Sequence, residues 1–327
     1  MADFLDLVNI CKEKEMVYIQ THNFPDPDAI GSAYGLQFLF EEYGIRSKIC
    51  FEGRIDKLST QKMLDKFNIK MYAYNDIRSE LKDDDYIVCV DSQKNSGNIT
   101  DFIGDEIACI DHHPTFVDIE YKYKQVEITG SCSTLIAEHI AASGFKPTKD
   151  VASALIYGLK MDTLSFSRGV TQRDIKMFSF LFDYRDEKIL NDLEHNNMVF
   201  NDLRAYGAAI DNIKIYGPVG FSKIPYACPD AMIAILSDFI LSLVEVEVAV
   251  IYSERDDGLK FSIRSERDDV HAGQLTNQAL KGIGDGGGHA SMAGGLIPKN
   301  NIKLLGNYPD FFIRDTFMNI INQDLNK

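Results

Sequence analysis

Four groups of acidic residues and histidines stand out in the sequence, because their side chains can bind a divalent metal ion. The first group consists of His22, Asp26 and Asp28. It begins where an apolar run ends, and Pro25 and Pro27 prevent regular structure from continuing through it. Three metal-binding side chains therefore stand between the end of a predicted strand and the start of a predicted helix.

The other three groups also lie at the ends of predicted elements, two of them strands and one a helix. They are Asp91, the triplet Asp111-His112-His113, and Asp162 with Thr163. Taken singly, each group has an ordinary explanation, such as a helix N-cap for Asp26 or Asp28 and a turn for Asp91. Taken together, three of the groups end successive strands of one sheet, and ligands bind where the carboxyl ends of parallel strands meet. The joint pattern indicates a binding site.

The residue types indicate which ion this site binds. Carboxylates and imidazoles without cysteine suit Mn²⁺, with Mg²⁺ or Co²⁺ as alternatives, better than a structural zinc ion. The groups hold more candidate ligands than one ion can use, so two ions are expected. Two divalent ions about 3.5–4 Å apart can activate a water molecule and bind the oxygens of a phosphoryl group. The sequence therefore predicts a two-metal site that hydrolyses phosphate compounds.

The apolar pattern of the N-terminal half predicts an α/β fold. Short apolar runs alternate with amphipathic helical patterns, which is typical of a parallel sheet covered on both faces. Residues 172–205 are helical in pattern and highly charged, as in a connecting segment. The predicted strands are 16–21, 47–51, 86–90 and 107–110, and the predicted helices are 29–43, 133–142 and 151–160.

The C-terminal part predicts a second, smaller α/β domain. Strands are expected around the Gly217-Pro218 turn, and a hairpin over 246–264 is expected to turn at Asp257-Gly258. We expect an active site in the cleft between the two domains, and a cleft that opens and closes. The predicted domains are residues 1–190, a helical linker 191–210, and residues 211–327.

A glycine-rich segment, 282–295, follows the hairpin. Residues 282–287 match the G-x-G-x-x-G pattern of dinucleotide-binding folds, but a helical pattern rather than a strand precedes them, so that fold is not expected. The glycines favour a cradle of backbone amides around a phosphate, with a plain flexible loop as the alternative.

The composition limits the classes of function. The chain has 327 residues, enough for two domains, and its formal net charge of −15 argues against binding long duplex nucleic acid. A small phosphorylated substrate remains compatible, since bound cations reverse the local charge. The six cysteines are scattered, no apolar run reaches the length of a membrane span, and no signal peptide is evident, so a cytoplasmic protein without a membrane partner is expected. The oligomeric state is left open, a homodimer included.

These motifs resemble those of the DHH phosphoesterase family, which is named for the triplet found here as Asp111-His112-His113. The His-x-x-x-Asp-x-Asp motif that starts at His22, the strand-end Asp91 and the later Asp162-Thr163 also occur in the family's order. The C-terminal part resembles the DHHA1 domain through residues 261–265 and 286–295. The likeness covers nearly the whole chain, and the pairing of domains is similar to the branch of nano-RNases and pAp phosphatases.

The resemblance implies roles for the metal-binding groups. One ion would be bound by His22, Asp26 and Asp91. The second ion would be bound by Asp28, Asp91, His112 and Asp162, so that Asp91 bridges the two. His113 would face the phosphate as an electrostatic stabiliser or a proton donor to the leaving oxygen, and Asp111 would orient the histidine loop. The implied catalytic residues are His113, Asp91 and Asp111.

The resemblance also implies substrate-binding residues in and near the second domain. Arg264 suits a bidentate grip on phosphate or stacking on a base, with a surface ion pair as the alternative. Arg168 lies where the chain departs from the family, which tends to place a glycine after Asp162-Thr163 and has Leu164 here. Arg168 is open to two interpretations, a phosphate contact or a solvated loop residue. The implied substrate-binding residues are Arg264, Ser265, Gly286, Gly287, Gly288, His289 and Arg168.

The implied substrates are small phosphate esters. Dinucleotides, very short oligonucleotides and 3′-phosphoadenosine 5′-phosphate (pAp) lead, and cyclic dinucleotides and polyphosphate are alternatives. Pyrophosphatase relatives share the metal motifs but carry a different C-terminal domain, so the Gly-Gly-Gly-His segment makes that activity a weaker expectation. A non-catalytic nucleotide sensor is the alternative from a different class of protein.

Overall fold

The chain forms two compact units, Met1–Asn197 and Met198–Lys327. The computed structural model describes residues 3–55, 57–115, 117–195 and 198–324. The division between the units falls within the predicted linker 191–210, of which residues 196 and 197 lie outside the described ranges. Each unit has its own sheet.

The first unit contains eight helices and six strands among its described residues. The strands are β1 Val17–Gln20, β2 Ser47–Phe51, β3 Met71–Ala73, β4 Tyr86–Val90, β5 Asp105–Asp111 and β6 Tyr123–Val126. The helices are α1 Phe4–Cys11, α2 Pro27–Glu42, α3 Leu58–Phe67, α4 Tyr74–Ile77, α5 Cys132–Ser143, α6 Lys149–Asp162, α7 Gln172–Phe182 and α8 Glu187–Glu194.

The six strands of the first unit form one parallel sheet in the order β3-β2-β1-β4-β5-β6. Alternate residues of the central strands point to opposite faces: Ile19 and Val88 pack in one apolar cluster, while Tyr18 and Cys89 pack in another. Because both faces are covered, the central strands are apolar throughout. The predicted α/β fold with a parallel sheet in the N-terminal domain is confirmed.

The predicted strands and helices of this unit are all present, and no predicted end differs from the observed one by more than two residues. The pattern missed the edge strands β3 and β6. Residues of β3 are only half-buried, and buried and half-buried residues alternate along β6, so neither forms a continuous apolar run. Edge strands need less apolar surface than the central strands between them.

The start of α2 is fixed by local sequence and by close packing. The side chain of Asp26 caps the helix by accepting hydrogen bonds from the amides of Asp28 and Ala29, and a proline stands in the first turn. Further along, a Cβ atom added to Gly31 would lie 2.7 Å from the carbonyl oxygen of Ala154 in α6. Because Gly31 has no side chain, α2 and α6 can approach closely at this crossing. Both helices carry candidate ligands.

The second unit contains a mixed sheet in the order β11-β12-β10-β9-β8-β7. The pair β8–β9 is parallel and the others are antiparallel. Apolar side chains cover both faces of the sheet, so the predicted smaller second domain is confirmed. Its elements are α9 Asp202–Asn212, β7 Lys214–Tyr216, β8 Val219–Ile224, α10 Asp230–Leu241, β9 Val248–Arg255, β10 Gly258–Ser265, α11 Ala272–Leu280, β11 Asp285–Gly288, β12 Met292–Pro298, a 3-10 helix Lys299–Leu305 and α12 Pro309–Asp324.

The glycine-rich segment differs from the plain flexible loop that was one expectation for it, and the phosphate cradle stays a prediction. Instead of a loop, residues 285–288 form strand β11, which pairs with β12 through Gly286–Gly295 and Gly287–Gly294. The glycines are needed for close packing: a Cβ atom on Gly286 would lie 2.6 Å from Thr276 of α11. The pattern gave no strand signal, because glycine has low β propensity and contributes no apolar side chain.

The described helices were also checked for membrane-spanning length and hydropathy. Among them, none is both long enough and apolar enough to cross a membrane. The cytoplasmic location stays a prediction from the sequence.

The crossing of α2 and α6 makes a testable prediction. Replacing Gly31 with alanine should lower the free energy of unfolding by about 1–3 kcal/mol, because the added Cβ atom forces the backbones apart. Gly207 of α9 is the control, since an added Cβ meets no described atom within 4 Å, and alanine there should stabilise by about 0.5–1 kcal/mol. Urea unfolding measures both. Equal effects of the two substitutions would contradict the close crossing.

Candidate metal centre

The candidate ligands meet at the carboxyl edge of the parallel sheet. His22 follows β1, Asp91 follows β4, and Asp111 ends β5, and these strands are neighbours in the sheet. The strand order reverses between β1 and β4, and such a switch point is where doubly wound sheets bind ligands. The start of α2 adds Asp26 and Asp28, and the end of α6 adds Asp162.

The first cluster consists of His22, Asp26 and Asp91. Nε2 of His22 lies 3.8 Å from Oδ1 of Asp26 and 3.6 Å from Oδ2 of Asp91. The other ring nitrogen, Nδ1, lies 2.8 Å from the carbonyl oxygen of Asn23, to which it donates a hydrogen bond in the tautomer that leaves Nε2 free. This arrangement aims Nε2 at a point between two carboxylates, as a metal ligand requires.

The second cluster consists of Asp28, His112 and Asp162. We count Asp91 in this cluster too, because its Oδ1 lies beside Nε2 of His112. Nε2 of His112 lies 3.2 Å from Oδ2 of Asp162, 3.9 Å from Oδ2 of Asp28 and 3.3 Å from Oδ1 of Asp91. Among the described residues, Oδ1 of Asp91 and Nε2 of His112 are buried atoms without a hydrogen-bond partner. Buried polar atoms seldom lack a partner, so these two atoms fit a site in which a divalent cation binds between them.

Backbone groups orient the ligands of the second cluster. The carboxylate of Asp28 accepts hydrogen bonds from the amides of Cys132, at 2.7 Å, and Ser133, at 3.0 Å, which open helix α5. Nδ1 of His112 lies 3.0 Å from the carbonyl oxygen of Thr129. These contacts leave Nε2 of His112 facing the acidic residues. The two clusters, joined by Asp91, fit two divalent metal ions.

His113 is held differently from His112. Its Nδ1 lies 2.9 Å from Oδ1 of Asp111 and 3.7 Å from Oδ1 of Asp91, and half of its side chain is exposed. Because Asp111 occupies Nδ1, that nitrogen is not available to an ion. The other oxygen of Asp111 accepts a hydrogen bond of 2.6 Å from Gln93. Sequence analysis missed Gln93, although a polar residue two positions after a strand-end aspartate was the available signal.

The charges of the centre are poorly balanced without cations. Burial, together with repulsion from neighbouring carboxylates, raises the pKa of Asp28, Asp91 and Asp162 to about 6 against the attraction of His112. Burial lowers the pKa of His112, but the adjacent carboxylate of Asp91 and the charge of Asp28 outweigh it and raise the pKa to about 11. The raised pKa values favour the protonated forms of these side chains, so metal ions would compete with protons for the same atoms.

The same competition acts at the exposed side of the centre. Burial lowers the pKa of His22, but the nearby carboxylates of Asp26 and Asp91 raise it to about 9. Burial also raises the pKa of Asp26, but His22 and the amide of Ala29 lower it to about 2. The hydrogen bond to Asp111 raises the pKa of His113 and outweighs burial, which lowers it. The net pKa shifts of His22, Asp26 and His113 therefore all favour the charged form of the side chain.

The turn after Asp162 is unusual. Leu164, Ser165 and Phe166 have φ angles of 47°, 53° and 69°, a region that residues other than glycine seldom adopt. Arg168 follows this turn, and its Nη2 donates a hydrogen bond of 3.0 Å to the carbonyl oxygen of Asp162. The guanidinium group therefore lies beside a candidate ligand, while nearly half of the side chain is exposed.

The substrate-binding residues predicted in the second unit have other contacts. Nε of Arg264 lies 2.6 Å from Oδ1 of Asp238, the ion pair that was the alternative interpretation. Ser265 is buried, and its Oγ accepts a hydrogen bond from the amide of Arg267. Gly286, Gly287 and Gly288 lie in β11, and the amide of His289 donates to the carbonyl oxygen of Met292. The structure brings these residues together around the hairpin of β11 and β12.

The parallel sheet with two acid–histidine clusters at its switch point defines a dinuclear metal protein of the α/β class. Residues 16–159 match the family model "DHH family, N-terminal domain", and residues 217–310 match the model "DHHA1 domain". The chain belongs to the DHH/DHHA1 superfamily of phosphoesterases, whose members are hydrolases of phosphate ester or anhydride bonds. The predicted superfamily is confirmed, as is the expectation of a site that fits two divalent ions.

Similar proteins match most of this chain or a part of it. An uncharacterised protein of Methanocaldococcus jannaschii is 26% identical over 297 residues, which are 90% of this chain and 60% of the relative. A probable manganese-dependent inorganic pyrophosphatase of Streptococcus thermophilus is 28% identical over 45% of this chain and 48% of the relative. The chain thus spans about half to two thirds of the length of these curated relatives.

A solved structure shows the same fold over nearly the full length. The exopolyphosphatase-related protein from Bacteroides fragilis has a TM-score of 0.73 and 19% sequence identity, and the likeness covers 95% of this chain and 96% of that chain. The fold is therefore shared at low sequence identity.

The protonated state of the centre predicts a pH-dependent metal affinity. Each ion must displace a proton from His22 or His112, whose raised pKa values keep both rings protonated at pH 7. Mn²⁺ affinity should therefore fall about tenfold per pH unit for each ion as the pH decreases from 8 to 7, and more steeply near pH 6, where carboxylates also protonate. Calorimetric titration in buffers of different ionisation enthalpy should show the release of about one proton per ion.

His139 provides the control for this titration. It is a buried histidine of α5 whose pKa is lowered by burial to about 4, so it is neutral at pH 7. His139→Gln should leave proton release on metal binding unchanged. Heats that do not depend on the buffer in the unsubstituted protein would contradict the displaced protons.

Proposed function

We propose that this chain is a two-metal phosphoesterase that hydrolyses very short oligonucleotides, dinucleotides or pAp. The observation that carries the proposal is the pair of acid–histidine clusters that share Asp91, with His113 beside them. The two ions would be bound by His22, Asp26 and Asp91, and by Asp28, Asp91, His112 and Asp162.

The bound ions would supply positive charge that polarises the phosphoryl group and lowers the pKa of the attacking water. The protein's own residues do the rest. Amides of α5 and the carbonyl oxygen of Thr129 hold Asp28 and His112 in place, so that no reorganisation is needed during the reaction. Asp111 fixes the ring of His113 through Nδ1.

His113 is the proposed proton donor to the leaving oxygen. Its Nδ1–H donates to Asp111, so Nε2 is the nitrogen left for a substrate, and half of the side chain is exposed. No hydrogen bond of that Nε2 occurs within the described part of the chain. A histidine fixed at one nitrogen and accessible at the other is suited to proton transfer.

Arginines and the glycine hairpin are the proposed substrate-binding groups. Arg168 lies beside Asp162, so its guanidinium group could bind a second phosphate of the substrate next to the metal centre. In the second unit we propose Arg264, Ser265, Gly286, Gly287, Gly288 and His289. A substrate phosphate would replace Asp238 as the partner of Arg264, which is an exchange of one anion for another.

The charge of the chain favours short substrates. With a formal net charge of −15, the protein repels a long polyanion except where metal ions or arginines compensate locally. A dinucleotide or pAp places few phosphates outside the compensated region. We further propose a cytoplasmic location, as expected for an enzyme of nucleotide turnover with six buried, unpaired cysteines.

Hydrolysis of a phosphate anhydride is the second candidate. The specific observation that favours it is the similarity to the probable manganese-dependent pyrophosphatase of Streptococcus thermophilus. That similarity covers less than half of either chain. The proposed ester substrate with a nucleoside part depends instead on the proposed binding groups of the second unit, which lie in or beside the DHHA1 match over residues 217–310.

A panel of substrates tests the proposed function. The metal-free protein is supplied with Mn²⁺ and incubated separately with pApA, pAp, cyclic di-AMP, polyphosphate and pyrophosphate, and the products are separated by chromatography. We expect the fastest turnover of pApA or pAp, and loss of turnover when a chelator is added. Asp91→Asn should abolish activity, because Asp91 is common to both clusters.

The panel separates the alternatives. Exclusive turnover of pyrophosphate or polyphosphate would replace the proposal by anhydride hydrolysis. Binding of a nucleotide without turnover of any compound would indicate a non-catalytic sensor and overturn the proposal.

The role of His113 gives a separate prediction. His113→Gln should lower kcat by about 10²- to 10⁴-fold, because the proton donor is lost, while KM and Mn²⁺ affinity stay close to their original values. The exposed His195 is the control, and His195→Gln should leave kcat unchanged. A large loss of Mn²⁺ from the His113 variant would show instead that this ring is a metal ligand.

A further inference from the structure

We propose that Asp174 is a positioning residue of the metal centre, which it reaches through the segment 129–134. This role rests on the proposed function, since it concerns ligands of the proposed second ion. Asp174 is the third residue of α7, and its side chain is fully buried. It is absent from the acid–histidine clusters and does not touch a candidate ligand directly.

The carboxylate of Asp174 holds the segment 129–134 near both of its ends. Oδ1 accepts a hydrogen bond of 2.5 Å from Oγ1 of Thr134 and one of 3.1 Å from the amide of Gly130. Oδ2 lies 3.0 Å from the same Gly130 amide and accepts two bonds of 2.6 Å from the amide and hydroxyl of Thr171. A buried carboxylate with this many donors is a rigid anchor.

The anchored segment is the one that orients the second cluster. Thr129, directly before Gly130, accepts the hydrogen bond from Nδ1 of His112 through its carbonyl oxygen. The amides of residues 132 and 133, directly before Thr134, donate to the carboxylate of Asp28. Two ligands of the same proposed ion therefore depend on backbone groups that lie next to contacts of Asp174.

A third ligand is connected through close packing. A Cβ atom added to Gly130 would lie 2.9 Å from Oδ2 of Asp174 and 2.7 Å from Cγ2 of Thr163. The absence of a side chain at Gly130 thus lets Asp174 approach the backbone on one side and Thr163 on the other. Thr163 follows Asp162 in the chain, so the anchor also borders the turn that carries this ligand.

A purely local role does not account for these contacts. Asp174 forms a capping box with Thr171 at the start of α7, which requires only the bonds to Thr171. The bonds to Gly130 and Thr134 reach residues 44 and 40 positions away in the chain, respectively. They tie α7 to the loop that orients Asp28 and His112, and this link is what we infer to have a function.

The test is a Mn²⁺ titration of the metal-free protein followed by the EPR signal of free Mn²⁺. Asp174→Asn keeps the size of the side chain. It replaces one accepting oxygen by an NH₂ group, which faces hydrogen-bond donors and cannot accept from them. We expect the affinity for one ion to fall by about tenfold to a hundredfold, as for other outer contacts of metal ligands, while the other ion is retained. Asp186 is the control, because it also caps a helix, α8, by accepting from the amide of Ile189. Asn caps a helix about as well as Asp, so Asp186→Asn should leave both affinities unchanged.

A milder substitution covers the case in which Asp174→Asn does not fold. Thr134→Val removes the 2.5 Å hydrogen bond to Asp174 and changes the side-chain volume little. It should lower the affinity for the same ion as Asp174→Asn does. Two affinities equal to those of the original protein in the variants that fold, or an equal loss of both ions, would overturn the role of Asp174. If the unsubstituted protein bound fewer than two ions, the proposed two-metal centre would be wrong. This outcome differs from a failure of the Asp174 proposal, because it is seen in the unsubstituted protein.

Discussion

Repulsion between buried carboxylates is the constraint on which the centre depends. Asp28 and Asp91 are almost completely buried, and Asp162 lies close to both through His112. Burial and mutual repulsion disfavour their charged forms, so the fold must hold them by donors until cations neutralise them. The amides at the start of α5 serve this purpose for Asp28. The centre is therefore built from helix ends and strand ends, where backbone donors are free to bind carboxylates.

The same constraint explains the backbone of Asp91. This residue has a φ angle of 57°, and its amide still donates to the carbonyl oxygen of Ile110 in the neighbouring strand. Aspartate tolerates this conformation better than most residues, at a cost on the order of 1 kcal/mol or more. The left-handed turn directs the carboxylate between His22 and His112, which a continued strand would not do. Strain at this position is consistent with a residue common to both clusters.

The sequence could place several of the candidate metal ligands because they directly follow or end a strongly apolar or helical run. His22, Asp91 and Asp111 could be placed at one sheet edge without knowledge of side-chain contacts. Gln93 and Asp174 could not be identified in the same way, since their roles depend on partners far away in the chain, such as Gly130 for Asp174. The pattern Thr171-x-x-Asp174 was visible as a capping box, but a capping box alone gives no reason to expect a link to a metal centre. The strand β11 was missed because it consists largely of glycines. They allow close packing because they have no side chain, and a hydrophobic pattern cannot show this.

The departure from the family after Asp162-Thr163 is accommodated by Thr163. Its hydroxyl donates to the carbonyl oxygen of Leu159 and accepts from the amide of Phe166, and its carbonyl oxygen accepts from the amide of Arg168. These bonds stabilise a left-handed turn in which Leu164 takes a conformation that glycine would adopt more easily, at a cost on the order of 1 kcal/mol per residue. The turn returns the chain toward α6, so that Arg168 reaches Asp162. The turn thus places a guanidinium group beside the candidate metal centre, while Asp162 keeps its place at the end of the helix.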